Sequence, residues 1–446
     1  MANTREAPLA PADQSEEGRI YSKIVWRIVP LILLAYVLAF LDRINVGYVK
    51  LQMQEDLGFS ASVYGLGAGL FFITYILLEV PSNVLMERIG ARLTFLRIMV
   101  LWGLTSAATV FVTEPWQFYT LRLLLGAFEA GFFPGVILYL TYWFPSHRRG
   151  RVTGLFLFGI PLTGIVGGPI SGMIMSGMDG VNGMAGWQWV FLIEGLPIVF
   201  VGLAIYYLLP NKPRESTWLT PHEKDFVESV LAADRKGQVS TGHRHLRAAF
   251  GDPKTFVLAY VYFTCACAVY TMTFWLPTMI KALGVESVSA IGWYTAIPYV
   301  FGGAGILLMS WSSDRYRERR WHVASTLIVG GVALYLTTFA SGQFLPSMLL
   351  LCLAAFFIFA SALFWAIPPT YLSADAAAAG IAVISSIGIF GGFVSPTLIG
   401  TLIDWTGSMS AGLAFMTAIS VSGGLVMLAL PDEALRVGGA SREAAH

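Results

Sequence analysis

The stretch Arg122-Leu-Leu-Leu-Gly-Ala-Phe-Glu129 lies inside an apolar run from about Gln117 to Trp143. It places two opposite charges where a membrane-spanning helix ordinarily carries none. A span needs roughly 20 apolar residues, and an ionisable group at its centre costs at least about 2.5 kcal/mol on insertion scales. Seven positions apart, Arg122 and Glu129 stand about 10 Å from each other along one helical face, which they share with Gly126 and Phe133. Two chemistries fit this spacing. One is a structural charge pair facing neighbouring helices; the other is a mid-membrane polar site that binds an anion and carries a proton.

The remaining ionisable residues well inside apolar runs, away from the basic ends, are Asp42 and Arg43, Glu79, and Glu194. All fall in the first half of the chain, so the second half offers a substrate only hydroxyls, aromatics, amides and backbone. Two arginines cannot give up their charge at any workable pH, and Asp42 and Glu129 are the acids able to balance them. An incoming carboxylate would displace one of these acids, which would then take up a proton, coupling the two movements. The planar guanidinium also matches a carboxylate with two parallel hydrogen bonds. By helical spacing Tyr36, Phe40 and Arg43 share a face, as do Tyr75 and Glu79. Asp42 and Arg43 lie about 100° apart on a helix and serve different partners; a helix-end role for Asp42, capping the outer loop, is the alternative. Glu79, beside Pro81 and Asn83, reads as a packing residue. Glu194 reads as a residue near the outer end of its span, and Asp404 as one facing the outer interface.

These groups need a scaffold of helices in lipid. Of 446 residues, 56% are hydrophobic and 12% charged, with a mean hydropathy of +0.67; an ordinary soluble domain carries about 25% charged residues. Apolar runs recur at about 24–46, 62–84, 94–112, 117–143, 152–175 and 188–209, then at 255–280, 290–311, 322–340, 347–370, 377–403 and 410–430. The expected fold is therefore all-α, with twelve transmembrane helices in two six-helix bundles, 23–209 and 255–430. A polar start (1–22), a linker (210–254) and a polar tail (431–446) complete the chain. Of the 28 Lys and Arg, 24 fall in segments on one side of such an arrangement. That bias puts both termini in the cytoplasm and leaves Lys50 and Lys281 outside. The halves repeat: Glu87-Arg88 matches Asp314-Arg315 at an offset of 227, and Gly167–Gly172 matches Ser395–Gly400 at 228. Parallel repeats of this size suit a six-plus-six transporter with its site between the halves.

The cytoplasmic residues Glu87, Arg88 and Arg92, with Arg148, Arg149 and Arg151 and the matching Asp314 and Arg315, are expected to form an ionic gate that breaks when the halves rock. Positive-inside anchoring accounts for the same charges. The linker reads as a solvated segment with a short amphipathic helix around 221–235. Residues 1–20 are polar and acidic, so no cleavable signal peptide is expected. Cys265, Cys267 and Cys352 suit small core residues better than disulfides or metal ligands, and His243 and His245 carry no metal expectation. No cofactor, metal or nucleic-acid partner is implied.

With these residues in view, the chain resembles the major facilitator superfamily and, more narrowly, its anion:cation symporter family of bacterial organic-acid permeases. The resemblance covers about residues 22–430 and rests on Leu41-Asp-Arg-Ile-Asn45, Tyr75-Ile-Leu-Leu-Glu-Val-Pro-Ser-Asn83, Arg122 with Glu129, Phe191-Leu-Ile-Glu-Gly195, Phe274-Trp-Leu-Pro277 and Ile367-Pro-Pro-Thr370. It implies proton coupling at Asp42 and Glu129 and contact with a substrate carboxylate at Arg43, Tyr75 and Arg122. Similar members carry tartrate, sugar acids, phthalate, hydroxyphenylacetate or nicotinate-type acids. Where the family commonly has asparagines in span eleven, this chain has Ser385 and Ile389; where sugar-acid members have a glutamine in span five, it has Gly159-Ile-Pro-Leu. Buried hydroxyls left unpaired cost about 1–3 kcal/mol each, which disfavours a polyhydroxylated acid. Tyr36, Tyr262, Tyr270, Trp275 and Trp365 are candidates to wall an aromatic or sparsely hydroxylated acid instead. The expectation is a monomeric importer of a small organic anion with protons in the bacterial inner membrane. An exchanger, an exporter or a non-transporting sensor of the same fold stay open.

Overall fold

Lipid offers no partner to a free backbone N–H or C=O, so apolar runs of this length must close their hydrogen bonds internally as helices. The computed structural model describes residues 11–157, 159–236, 251–368, 372 and 374–431. Its first half contains α1 (Pro11–Leu57), α2 (Ala61–Ile89), α3 (Ala91–Ala108), α4 (Pro115–Glu129), α5 (Phe132–Thr141), α6 (Ser146–Leu157), α7 (Gly159–Gly177) and α8 (Gly186–Leu208). After α9 (Pro221–Lys236), the second half contains α10 (Pro253–Lys281), α11 (Val288–Tyr316), α12 (Arg320–Leu336), α13 (Phe344–Ala360), α14 (Ala374–Ile389), α15 (Gly391–Thr406) and α16 (Met409–Ala429). Among the described residues, eleven stretches are long and apolar enough to cross a membrane. The 17-residue α12 packs between α13 and α16 and makes the sixth segment of the second half.

Side chains such as Leu77, Val80, Phe200, Leu307 and Leu349 stay exposed on the outside. In water they would form an aggregation-prone surface; on these helices they face acyl chains. The halves meet where α2 packs on α15, α7 on α11 and α1 on α10. Glycines allow that approach. A Cβ added to Gly292 would stand 2.3 Å from the Gly168 carbonyl oxygen, and one at Gly65 would stand 2.2 Å from that of Pro396. Hydrogen bonds joining the halves gather at the end opposite the linker, hereafter the far end. There Tyr48 donates to Thr295 at 2.7 Å, Asp404 accepts from the Ala61 and Ser62 amides at 3.1 and 2.9 Å, and Lys281 pairs with Glu55 at 2.6 Å.

Three expectations need correction. The first span does not end near residue 46: Val46, Val49, Leu51 and Met53 stay buried, so α1 runs on to Leu57 and carries Asp42 and Lys50 inside the protein. Asp42 therefore caps no outer loop, and Lys50 lies in no outer loop. The run from Gln117 to Trp143 is not one unbroken helix. It bends at Gly131, whose φ of 88° is reached readily only by glycine, and resumes as α5. The linker is not simply solvated. On α9, Val227 and Leu231 are buried, Glu223 pairs with Lys23 at 2.8 Å, and Trp218 stacks on Trp143 with ring centroids 5.6 Å apart. Residues 1–10, His243, His245, Thr370, the tail from 432 and the side chain of Arg151 lie outside the described residues.

Candidate functional site

Gly126 sets the site, because a side chain there would collide with α2: its Cβ would stand 2.0 Å from the Phe71 carbonyl oxygen. Its absence lets α4 cross α2 closely and carries Arg122 and Glu129, one on each side of Gly126, into the middle of the first half. Both are buried. Glu129 does not pair with Arg122. It accepts a hydrogen bond from Arg43 of α1, in an ion pair with little exposure on either side. The Arg43 guanidinium also lies 5.1 Å from the centroid of Phe71, 5.4 Å from Tyr75 and 5.7 Å from Phe40. Arg122 packs 5.3 Å from the same Phe71 ring and reaches the Gly67 carbonyl at 3.4 Å. Each guanidinium keeps one buried nitrogen, Arg43 Nε and Arg122 Nη2, without an acceptor among the described residues.

Asp42 faces the other way, into the first half. It accepts hydrogen bonds from Trp102 Nε1 at 2.7 Å, from the Ser106 hydroxyl, and from Asn45 Nδ2 at 3.4 Å. Trp102 and Ser106 present these donors from one face of α3, four residues apart. Asn45 continues the network to Glu194 at 3.0 Å, which also accepts from Ser171 at 2.8 Å. Neighbours in sequence, Asp42 and Arg43 thus serve different partners, as their angular separation requires. The second half reaches the charge pair through Tyr270 on α10, which lies within electrostatic reach of Arg43 and whose ring lies 4.5 Å from Phe72 and 5.8 Å from Phe274. Tyr36 closes the first-half side, 4.1 Å from Phe156 and 5.9 Å from Phe133. The result is a guanidinium–carboxylate pair walled by rings from both halves, with an orphan N–H on each of two arginines. Such a pair can exchange its internal carboxylate for an external one.

The sequence profile of the Major Facilitator Superfamily matches residues 32–396. The chain belongs to the Major Facilitator Superfamily. It is 45% identical over 413 residues to a putative metabolite transport protein, NicT, of Pseudomonas putida, covering 92% of this chain and 94% of that one. It is 42% identical over 423 residues to a putative tartrate transporter of Agrobacterium vitis, covering 95% and 97%. Among solved structures, a bacterial homologue of the human lysosomal transporter Spinster, inward-facing and unoccupied, matches with a TM-score of 0.71 at 17% identity, over 90% of this chain and 94% of that one. This is a multi-pass membrane transporter of the superfamily, and not an enzyme.

Within this superfamily fold, Arg43, Glu129, Arg122, Tyr36, Tyr75 and Tyr270 come together. Trp365 stands behind Tyr262, with ring centroids 4.5 Å apart, and Tyr262 lies within electrostatic reach of Tyr36 and Tyr270; Ser385 is half-buried on α14. Glu79, one turn beyond Tyr75, lies within electrostatic reach of Arg43 and makes no ion pair among the described residues. Of the eight residues expected at a gate, the seven with described side chains form no ion pair with one another in this conformation, and Arg148 instead pairs with Glu17 at 2.7 Å. Arg92 donates to the Tyr206 carbonyl at 2.7 Å, Arg149 lies 3.6 Å from Asp234 of α9, and Asp314 pairs with Arg319 at 3.2 Å. Glu87 and Arg88 are exposed at the linker end, and Arg315 packs on Trp311. Two residues escaped the sequence reading. Asn45, three positions after Asp42, carried a legible signal, an amide in an apolar run; Lys50 was obscured by the misplaced end of its span.

Proposed function

We propose that the chain imports a small organic carboxylate together with protons by alternating access. The observation that carries this reading is the buried Arg43–Glu129 pair beside Arg122, each guanidinium holding one N–H without an acceptor. A visiting carboxylate satisfies those donors in the bidentate geometry arginine favours. Glu129, displaced into low dielectric, is neutralised by a proton rather than left as an unpaired buried charge. Proton and anion then travel together. Asp42, held by three neutral donors, is the second candidate for a proton, and Arg43, Arg122, Tyr75, Tyr36 and Tyr270 are the substrate contacts.

The ring-lined walls favour an aromatic or sparsely hydroxylated acid, and the putative tartrate transporter among the relatives keeps small hydroxy acids in the class. Orientation follows from the basic residues: the linker end is cytoplasmic, with both termini on that face of a bacterial inner membrane. The bundles are 23–209 and 255–430, joined by the linker 210–254, and Glu87, Arg88, Arg92, Arg149, Asp314 and Arg315 close the cytoplasmic side in the alternate state. Proteoliposomes test this with a panel of benzoate, nicotinate, tartrate and a hexonate, with and without an inward proton gradient. Gradient-dependent accumulation of at least one of the first three is expected. Accumulation of the hexonate alone overturns the substrate class, and uptake that ignores the gradient overturns coupling.

A further inference from the structure

Lys50 is a buried cation near the far end that makes no ion pair among the described residues, with Asp404 acting on it only at longer range. It lies on α1 with 3% of its surface exposed. Its ammonium sits 3.4 Å from the ring centroid of Trp275 on α10 and 4.5 Å from that of Tyr64 on α2. The two rings meet edge to face, 5.7 Å apart at 89°, and Tyr64 is fixed by donating to the Phe274 carbonyl at 3.2 Å. Among the described residues, no hydrogen-bond acceptor or carboxylate within ion-pair distance meets the Lys50 ammonium. The nearby acids are engaged elsewhere, Glu55 with Lys281 and Asp404 with the Ala61 and Ser62 amides.

Ring faces attract an ammonium, but more weakly than an anion does. Lys50 is therefore held by partners that a carboxylate outcompetes. The cage also spans the two halves: Tyr64 moves with Lys50, whereas Trp275 belongs to the second half. Parting the halves at the far end withdraws Trp275 and bares the ammonium on the first half. Arg43 lies seven residues earlier on the same helix, about 10 Å away along one face. We propose that Lys50 is a second anion-binding group, at which the carboxylate of the organic acid docks from the far end before it passes to Arg43, and that Trp275 and Tyr64 cover it when that end is closed. This rests on the reading of the chain as a carboxylate importer.

The experiment measures the external Km of proton-driven uptake in proteoliposomes, using benzoate, nicotinate or tartrate, whichever the wild-type protein accumulates. Lys50→Met and Lys50→Gln remove the charge, Lys50→Arg keeps it, and Trp275→Leu removes the cover alone. Loss of a hydrogen bond to a charged group predicts an external Km raised about tenfold or more in both neutral variants. Lys50→Arg is expected within about threefold of wild type by the same arithmetic, and Trp275→Leu is expected not to raise Km. A Lys50 that served only to hold the far end closed gives the opposite sign: its loss favours opening outward and lowers the external Km. An unchanged or lowered Km in a neutral variant that still accumulates the acid overturns the docking site alone. A wild-type protein that accumulates none of these acids overturns the importer reading, and the docking site with it.

Discussion

Glu129 and Asp42 are both buried carboxylates of the first half, and their neighbours separate what each can do. Glu129 has a charged partner, Arg43, and in the proposed mechanism an external anion takes that partner over, so that the proton affinity of Glu129 changes with substrate. Replacing it with glutamine preserves an acceptor for Arg43 but removes the exchangeable charge. Glu129→Gln is expected to lose gradient-driven accumulation while retaining counterflow of labelled acid, measured in the same vesicles; accumulation that persists unchanged excludes Glu129 as the carrier. Asp42 is built into the packing of α1 on α3. Trp102, fully buried, donates to it at 2.7 Å, and hydrogen bonds to charged groups contribute about 1.5–3 kcal/mol. Trp102→Phe should lower stability by roughly that amount, read as a reduced unfolding temperature in detergent. Combining it with Ser106→Ala should cost less than the sum, because both donors serve one carboxylate.

At the scale of elements, α9 shows how far a local pattern carries. Thr220 and Glu223 form a reciprocal capping box, the Thr220 amide donating to Glu223 at 2.8 Å and the Glu223 amide to Thr220 Oγ1 at 3.2 Å, with Pro221 at the first helical position. Burial works against the Glu223 charge, but hydrogen bonds from Lys23 and Thr220 outweigh it and hold the carboxyl below its ordinary value of 4.5. A carboxylate more acidic in the docked state adds stability that is complete above its undocked value and fades as pH falls through the docked one. Docking of α9 should therefore loosen below about pH 4.5. With Lys23 still 38% exposed, the screened pair is worth no more than about 1 kcal/mol. Hydrogen exchange over 221–236, corrected for intrinsic rates, reads this, and Lys23→Met should reproduce part of the loosening at neutral pH. The amphipathic spacing of α9 was legible in the sequence; its partners were not, since Lys23 and Trp143 are remote in the chain. The same division holds at the site. Apolar runs revealed the spans and buried charge marked the important residues, but the pairing of Glu129 with Arg43 rather than Arg122 depends on the crossing at Gly126 and the bend at Gly131. Span ends were least legible: the polar residues between Gly47 and Leu57 alternate with buried apolar ones, so α1 continues past its apparent boundary.

For the whole molecule, transport requires that the seam closing the far end be strong enough to seal and weak enough to part. Glycines serve both needs, since they let backbones touch without interlocking side chains. At the α7–α11 crossing, a Cβ on Gly292 would lie 2.3 Å from the Gly168 carbonyl oxygen, and Tyr48 bonds Thr295 one helical turn away. A valine at 292 cannot fit while this seam is closed, because the atom it meets is backbone on a packed helix. Gly292→Val should therefore favour parting at the far end. A cysteine at Thr295, buried when the seam is closed, reports it in a background whose native cysteines Cys265, Cys267 and Cys352 are replaced by alanine. A shift of about 1.4 kcal/mol in the open–closed balance speeds maleimide labelling from that side about tenfold. Gly177, further along α7 with open space around its Cβ position, supplies the control, as Gly177→Val should leave the rate unchanged. Gly292→Ala gives a milder form should valine prevent insertion. Equal labelling in the Gly292 variants and the control, in folded protein, would mean that this crossing is static packing and that the halves part elsewhere.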